Sequence, residues 1–256
     1  MKRIVVIGTA LAVLVGATAA YAAYNNYAGT TTTISKGVGS KKKPVRLSMV
    51  QTLKAGAPTG ERAAPLTSIK TTLYGVKLDA GKLPVCTDAK ILQNKASPTG
   101  ACPKGSLIAT GRVNALLGPG TDNSGSMGTP CNPHLNVFNG GPNRQVFYFW
   151  TKSASDCGTL TTGSTAPYDG HISYKNGSVV VNIPLPSDIS TKVAGQPNFY
   201  SSLIGEVLSY PKTVNGKGYM VGIGCKNHKR PWTATFTAHK YGGGNETQKV
   251  SGATVC

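Results

Sequence analysis

Residues 232 to 240 read WTATFTAHK, and this stretch decides the fold class. Apolar or small side chains occupy every second position from Trp232 to Ala238, and threonines fill the positions between them. A period of two is typical of a β-strand that buries one face, because successive side chains of a strand point to opposite sides. We therefore predict a strand here, with Trp232 and Phe236 facing the core.

Strand-like patterns recur along the chain from Pro44 onward. Residues 171–183, HISYKNGSVVVNI, hold an Asn-Gly pair between two β-prone runs, which predicts a hairpin with a type I′ turn. Residues 145–151, QVFYFWT, are apolar on both faces, as expected of a central strand covered on both sides. Further strands are predicted in the segments RLSMVQTL, SIKTTLYGVKL and YMVGIGC.

Helix signals are sparse. Residues 86–95, CTDAKILQNK, favour one short helix that Thr87 can cap, and residues 198–208, NFYSSLIGEVL, favour a second helical turn. Many short strands without alternating long helices are typical of an antiparallel β-sandwich, either jelly-roll or immunoglobulin-like. We predict an all-β sandwich with one or two short helices, formed as a single domain by residues 44–256, a common size for all-β domains.

The first 22 residues have the order of a secretory signal peptide. Two basic residues precede an apolar run from Ile4 to Val15, and Ala20-Tyr21-Ala22 is a small-x-small cleavage site. The apolar run is too short for a membrane anchor, which needs about 20 residues. We expect an extracellular or cell-envelope protein without a transmembrane segment after removal of residues 1–22. Residues 23–43 are predicted to form a flexible linker that is basic and rich in threonine.

The chain contains six cysteines: Cys86, Cys102, Cys131, Cys157, Cys225 and Cys256. An even number in an exported chain predicts a disulfide framework, and the lack of a CxxC spacing argues against a zinc ribbon or a thioredoxin-type site. Six cysteines allow many pairings, among which sequence alone cannot choose. Joining sequence neighbours is the least strained choice, and it gives Cys86–Cys102, Cys131–Cys157 and Cys225–Cys256.

The stretch CPKGSLIATGRV, from Cys102 to Val113, contains glycine, lysine and serine without being a phosphate loop. A phosphate loop needs the spacing GxxxxGK[ST] ahead of a helix. Here the lysine precedes the glycine, and small or apolar residues alternate from Leu107 to Leu117. The stretch is therefore predicted to be a turn that runs into a long strand.

Two segments resemble a pattern in uncharacterised secreted proteins of high-GC Gram-positive bacteria. They are LPVCTDAKILQNKASPTGACPKGSLIATGRVNA, with its P-x-C and C-P-x-x-S elements, and the ending CKNHKRPWTATFTAHKYGGGNETQKVSGATVC. Here Ile108-Ala109-Thr110-Gly111 lacks the first glycine of the more usual Ile-Gly-x-Gly. The resemblance covers about half of the mature chain. It implies a disulfide-stapled β-sandwich with the pairs Cys86–Cys102 and Cys225–Cys256, and it implies no activity.

The charge balance is strongly basic, with 27 lysine and arginine residues against 9 acidic ones. Such an excess favours anionic partners, such as cell-wall polymer or acidic polysaccharide, and we expect no specific nucleic acid. The alternative interpretation is solubility together with lysines that guard sheet edges. The residues expected to contact an anionic polymer are Lys41, Lys42, Lys43, Lys226, Lys229 and Arg230.

No catalytic, metal or cofactor site is predicted. The few acidic residues lie mostly in turn contexts, and Glu206, in an apolar stretch, is assigned to an exposed strand or helix face. There is no GxSxG elbow and no HExxH motif. Aromatic residues could bind sugars by stacking, but Trp150 and Trp232 are assigned to the core. The other candidates for stacking are Tyr148 and Tyr174.

These observations together predict a monomeric, exported structural or binding protein that is not an enzyme. Its expected interaction is weak affinity for anionic polymers. The alternative is a secreted polysaccharide-active hydrolase or a carbohydrate-binding module. A hydrolase would need two carboxyl groups about 5–10 Å apart in a cleft, whereas polymer binding through lysines should weaken with salt.

Overall fold

The computed structural model describes residues 25–58, 61–95, 97–119, 128–157, 165–241 and 243–256. The predicted signal peptide, residues 1–22, lies outside the described residues. The strands are β1 (Thr31–Ile34), β2 (Val45–Leu47), β3 (Met49–Lys54), β4 (Leu66–Tyr74), β5 (Val76–Leu78), β6 (Leu107–Pro119), β7 (Thr129–Cys131), β8 (His134–Asn139), β9 (Arg144–Trp150), β10 (Tyr168–Lys175), β11 (Ser178–Pro184), β12 (Phe199–Tyr210), β13 (Met220–Gly222), β14 (Lys229–His239) and β15 (Asn245–Val255). The helices are α1 (Asp88–Gln93) and α2 (Ala154–Cys157), with 3-10 turns at Ala80–Lys82, Ser187–Ile189 and Val193–Gly195.

One antiparallel sheet makes up most of the structure. Its strand order is β1-β3-β12-β6-β8-β9-β10-β11-β4-β14-β15, and β7 pairs with β6 beside this path. The sheet curls into a nearly closed, barrel-like sandwich, which we call the barrel. The predicted all-β class and antiparallel sandwich are confirmed. The two layers belong to one continuous sheet.

The first and last strands of the sheet meet at a seam. The backbone N–H of Asn25 donates to Glu246 Oε1 at 2.9 Å, and that of Tyr27 donates to Gln248 Oε1 at 3.1 Å. The ring of Tyr27 stacks on Phe236, with 4.2 Å between the ring centroids. Side chains of β15 therefore hold the N-terminal segment along the seam.

The predicted flexible linker is wrong over its described part. Tyr27 is 1% exposed, and residues 31–34 pair with β3 as an edge strand. Beyond β1, the N–H of Gly37 donates to the carbonyl of Cys256 at 2.7 Å, and Gly39 pairs with Ile223. The threonine-rich composition is misleading, because an edge strand with one solvent-facing side is polar at every second position.

A second, three-stranded sheet with the order β2-β13-β5 closes one end of the barrel. Leu47, Val76 and Met220 project from it into the same core cluster as the barrel residues, and each is at most 1% exposed. Burial of such side chains contributes about 1.5–3 kcal/mol each. This end of the barrel is therefore sealed by apolar packing.

The individual elements follow the sequence patterns closely. Along β14 the even-numbered residues from Trp232 to Ala238 are buried, as predicted. Asn176 and Gly177 have φ values of 50° and 74°, as a type I′ turn between β10 and β11 requires. Thr87 caps α1, since its hydroxyl accepts a hydrogen bond from the N–H of Lys90 at 3.4 Å.

The long strand predicted after the turn at residues 103–105 is confirmed as β6, and β-bulges interrupt the alternation of both β6 and β12. A register shift between Leu107 and Ala109 buries both Ile108 and Ala109 in β6, and a second shift between Leu203 and Gly205 divides β12. β12 is a twelve-residue strand, so the helical turn predicted at 198–208 is wrong. A β-bulge adds one residue to a strand and breaks its alternation, which makes the apolar spacing look helical.

The three disulfide bonds are Cys86–Cys102, Cys131–Cys157 and Cys225–Cys256, the pairs obtained by joining sequence neighbours. They tie the start of α1 to the turn before β6, β7 to α2, and the loop after β13 to the C-terminus. In the chain-entropy model, closing loops of this length contributes about 3 kcal/mol each. All six cysteines are thus paired, as predicted.

Candidate ligand cavity in the barrel

The barrel encloses a cavity of about 710 Å³. This volume lies within the range of about 300–1,000 Å³ that is typical of small-molecule sites. The inward-facing residues of β3, β4, β6, β9, β11 and β12 line it. Most are apolar, and they include Met49, Ile69, Leu73, Val113, Leu117, Phe147, Phe149, Val181, Ile183, Leu203 and Leu208.

The cavity is closed at the end that carries the three-stranded sheet. There the Tyr210 hydroxyl donates to Gln145 Oε1 at 3.4 Å, and Gln145 Nε2 donates to the Tyr219 hydroxyl at 3.1 Å. The rings of Tyr210 and Tyr219 stack with 6.3 Å between centroids. Burial raises the pKa of both phenols far above their usual range, so they stay neutral hydrogen-bonding groups.

The opposite end of the cavity opens between β11 and β12. The segment Asp188–Gln196 contributes to the lining, and Asp188, Ala194 and Gln196 are exposed to solvent. Ala194 adopts the left-handed conformation with φ of 54°, which is strained for a residue with a Cβ atom. Residues that face both the cavity and bulk water mark its mouth.

Glu206 is a carboxyl group inside this apolar cavity. It lies on β12 opposite Val113 of β6 and Leu53 of β3, and both of these residues are buried. Directly opposite residues in a sheet share a face, so the Glu206 side chain projects inward. Its strand neighbours Ile204 and Val207 are exposed on the outer side. The assignment of Glu206 to an exposed face is therefore wrong, because the bulge in β12 changes which residues point inward.

Burial raises the pKa of Glu206 from 4.5 to about 7. By surface exposure Glu206 is half-buried, as expected for a side chain that faces a cavity, and no hydrogen bond or ion pair reaches its carboxyl group from the residues that the structure describes. Burial is the main cause of the raised pKa of the phenols Tyr168 and Tyr210, and the charge of Glu206 raises the pKa of both further. The three side chains line the same cavity.

The charged side chains of the described lining are acidic, without a basic counterpart. Gln51, which is 8% exposed, lies opposite Leu208 and therefore diagonal to Glu206 on the same inner face. Among the described lining residues the ionisable side chains at neutral pH are Glu206 and Asp188, and there is no lysine, arginine or histidine. This contrasts with the whole chain, in which 27 basic residues face 9 acidic ones.

The two acidic residues of the lining occupy different levels along β12. Asp188 is close to Ser190, whose carbonyl accepts from the N–H of Ser201 at 2.8 Å. Glu206 follows Ser201 by five residues on β12, which is roughly 15 Å at about 3.3 Å per residue. Glycosidase carboxyl pairs lie about 5–10 Å apart. Along the strand, the backbone positions of these two acidic residues are thus more widely spaced than the carboxyl groups of such a pair.

Other acidic side chains belong to ion pairs that support the fold. Arg144 binds both Asp169 and Asp88, at 2.6 and 2.5 Å from their carboxylate oxygens. Asp156, which is 6% exposed, accepts hydrogen bonds from Arg112 and from the backbone N–H of Lys152. In the described part of the chain, no three metal-binding side chains converge on one point.

The aromatic residues considered for sugar stacking are mostly inside. Trp232 and Tyr148 are buried, and Trp150 stacks on His134 with 4.4 Å between ring centroids while lining the cavity. Tyr174 is 49% exposed, and its hydroxyl accepts from the N–H of Leu78 at 3.2 Å. Thus these four rings do not form an exposed sugar-binding platform.

The lysines predicted to bind polymer come together at one end of the barrel. The pairing of Gly39 with Ile223, and the Cys225–Cys256 bond, place the turn from Ser40 to Lys43 beside the loop that follows β13. We call this surface the basic end, and it consists of the exposed residues Lys41, Lys42, Lys43, Lys226 and Lys229.

Arg230 does not belong to this surface, so its prediction as a polymer contact is wrong. It is 0% exposed, and its Nη2 donates to the carbonyls of Gly37 and Val38, the latter at 3.0 Å. Burial lowers its pKa. The alternation of β14 explains the error, because Arg230 is in phase with Trp232 on the inner face.

Comparison of the chain with known proteins finds no matching family model, no similar curated protein and no similar solved structure. The resemblance to secreted proteins of high-GC Gram-positive bacteria stays a prediction. Within the described residues, no helix combines the length and apolar character that a membrane span requires. The class that fold and geometry define is a disulfide-bonded β-barrel with an apolar interior cavity.

The sequence interpretation missed the cavity, although one signal for it was present. Glu206, Leu208 and Tyr210 alternate in the same phase at the end of β12. Because Leu208 and Tyr210 are expected to face the core, a period of two also places the side chain of Glu206 inside. Nothing in the sequence shows that the interior contains a cavity, since cavity volume depends on how far the strands curve.

Proposed function

We propose that this protein is an exported binding protein whose barrel encloses an apolar small molecule. The carrying observation is the cavity of about 710 Å³ with its predominantly apolar lining. Filling such a cavity removes apolar surface from water on both the ligand and the protein. The three disulfide bonds and the signal-peptide pattern of residues 1–22 support a role outside the cytoplasm.

A neutral fluorescent probe tests this proposal. N-phenyl-1-naphthylamine is uncharged at pH 7 and brightens in apolar surroundings, so its titration into the oxidised protein reports filling of the cavity. Ala115→Phe adds a ring to the lining and should weaken binding of the probe at least tenfold. Asn114→Phe places the same ring on the outer face of β6 and should leave binding of the probe unchanged. Absence of saturable binding, or equal effects of the two variants, would refute the proposal.

A second function, binding to anionic polymer, is favoured by one observation. The fold brings together lysines that are about 180 residues apart in sequence at the basic end. Clustered exposed charge of one sign attracts oppositely charged polymers and does so less at higher salt. This contact would hold the binding protein at the cell envelope and would not involve the cavity.

The matched test uses two triple variants on a column of anionic wall polymer. Replacing Lys41, Lys42 and Lys43 with glutamine should lower the salt needed for elution. The control replaces Lys90, Lys95 and Lys192, exposed lysines on α1, just after it and at the cavity mouth, and removes the same charge. Equal elution of both variants would show that net charge, and not the basic end, causes retention.

A further inference from the structure

Besides its apolar lining, the cavity contains an acidic side chain, Glu206, that can discriminate between ligand head groups. Glu206 projects into it about 15 Å below the mouth, by the strand spacing, and no described residue pairs with its carboxyl group. A buried carboxylate without a partner is unfavourable, and native proteins normally compensate it with a hydrogen-bonding or cationic group.

The surroundings of Glu206 favour a cation over an anion. The described lining contains two acidic residues and no basic one, so an acidic ligand would meet only like charge there. Phe147, Tyr168 and Tyr210 present aromatic rings to the same space, and ring faces attract cations in desolvated sites. The amide of Gln51 adds one neutral polar group diagonal to Glu206.

We propose that the ligand is an elongated apolar molecule that carries one primary amine, and that its ammonium group pairs with the Glu206 carboxylate. This inference rests on the proposed function and names the ligand class for the same cavity. The alkyl part would fill the space between Glu206 and the mouth at Asp188–Gln196. The pair gains a charge-assisted hydrogen bond that neither an alcohol nor a hydrocarbon supplies.

Three ligands of one chain length separate head-group choice from apolar binding. The affinities of dodecylamine, dodecanol and dodecanoic acid are measured by displacement of the neutral probe at pH 8, with each ligand below its critical micelle concentration. We expect the amine to bind about ten- to a hundredfold more tightly than the alcohol. The acid should bind more weakly than the alcohol, because both carboxyl groups would be charged.

Glu206→Gln keeps the shape and removes the charge. It should abolish the preference for the amine and leave the affinity of the alcohol within about twofold. Glu61→Gln is the matched control, because Glu61 lies outside the cavity lining, and the preference should persist. Equal affinity of amine and alcohol for the unsubstituted protein, or a preference that survives Glu206→Gln, would overturn the inference while leaving the apolar site intact. Failure of the neutral probe to bind at all would instead reject the proposed function.

Discussion

Replacing Glu206 with glutamine should stabilise the ligand-free protein at alkaline pH. Burial raises the pKa of this carboxyl group from 4.5 to about 7, so the folded protein keeps a proton that the unfolded chain releases. A rise from 4.5 to about 7 corresponds to at most about 3.5 kcal/mol, at about 1.4 kcal/mol per pKa unit. The penalty is absent below pH 4.5, grows between pH 4.5 and 7, and is constant above pH 7.

Urea unfolding of the oxidised protein and of Glu206→Gln at pH 4, 6 and 8 measures this penalty. The difference in the free energy of unfolding should be near zero at pH 4 and approach its maximum at pH 8, with the variant more stable. Taking the difference removes the contribution of all other ionisable groups. A difference that is the same at all three pH values, or a variant that is less stable at pH 8, would refute the buried position of Glu206.

Two further predictions concern the seam and the Asp156 network. Tyr27→Ala should lower the free energy of unfolding by about 3 kcal/mol, because it removes a buried ring stacked on Phe236. Tyr27→Phe should lower it by about 1 kcal/mol. A loss below about 1 kcal/mol for Tyr27→Ala would mean that the seam is open. Burial raises the pKa of Asp156, but hydrogen bonds from Lys152 N–H and Arg112 outweigh this and lower it below 3.8, so its stabilisation is present above that pH and is lost as the pH falls below it. Asp156→Asn should therefore cost about 1–3 kcal/mol at pH 7 and less at pH 2 in thermal or urea unfolding, and an equal cost at both values would contradict this.

Local patterns in the sequence determine much of the strand structure. The alternation in β14, the Asn176-Gly177 turn and the cap at Thr87 each depend on a few neighbouring residues, and each is found as predicted. Pairing of neighbouring cysteines is also local, since each bond joins segments that are close in the chain. Such features are readable because their physical cause lies within one turn or strand.

Features that depend on distant parts of the chain could not be predicted. The role of Tyr27 requires knowing that Phe236 and β15 reach the other edge of the same sheet. The bulge in β12, which shifts the alternation between Phe199 and Glu206, forms against β6, nearly ninety residues earlier. The burial of Arg230 likewise depends on carbonyl groups at Gly37 and Val38, in a segment whose composition indicates a linker.

A crystal structure of the oxidised protein grown with dodecylamine tests the central claim most directly. The account predicts density for the alkyl chain along the inner faces of β6 and β12, with the amine within about 3 Å of the Glu206 carboxylate. A barrel whose interior is filled by its own side chains, with Glu206 turned to bulk solvent, would contradict it.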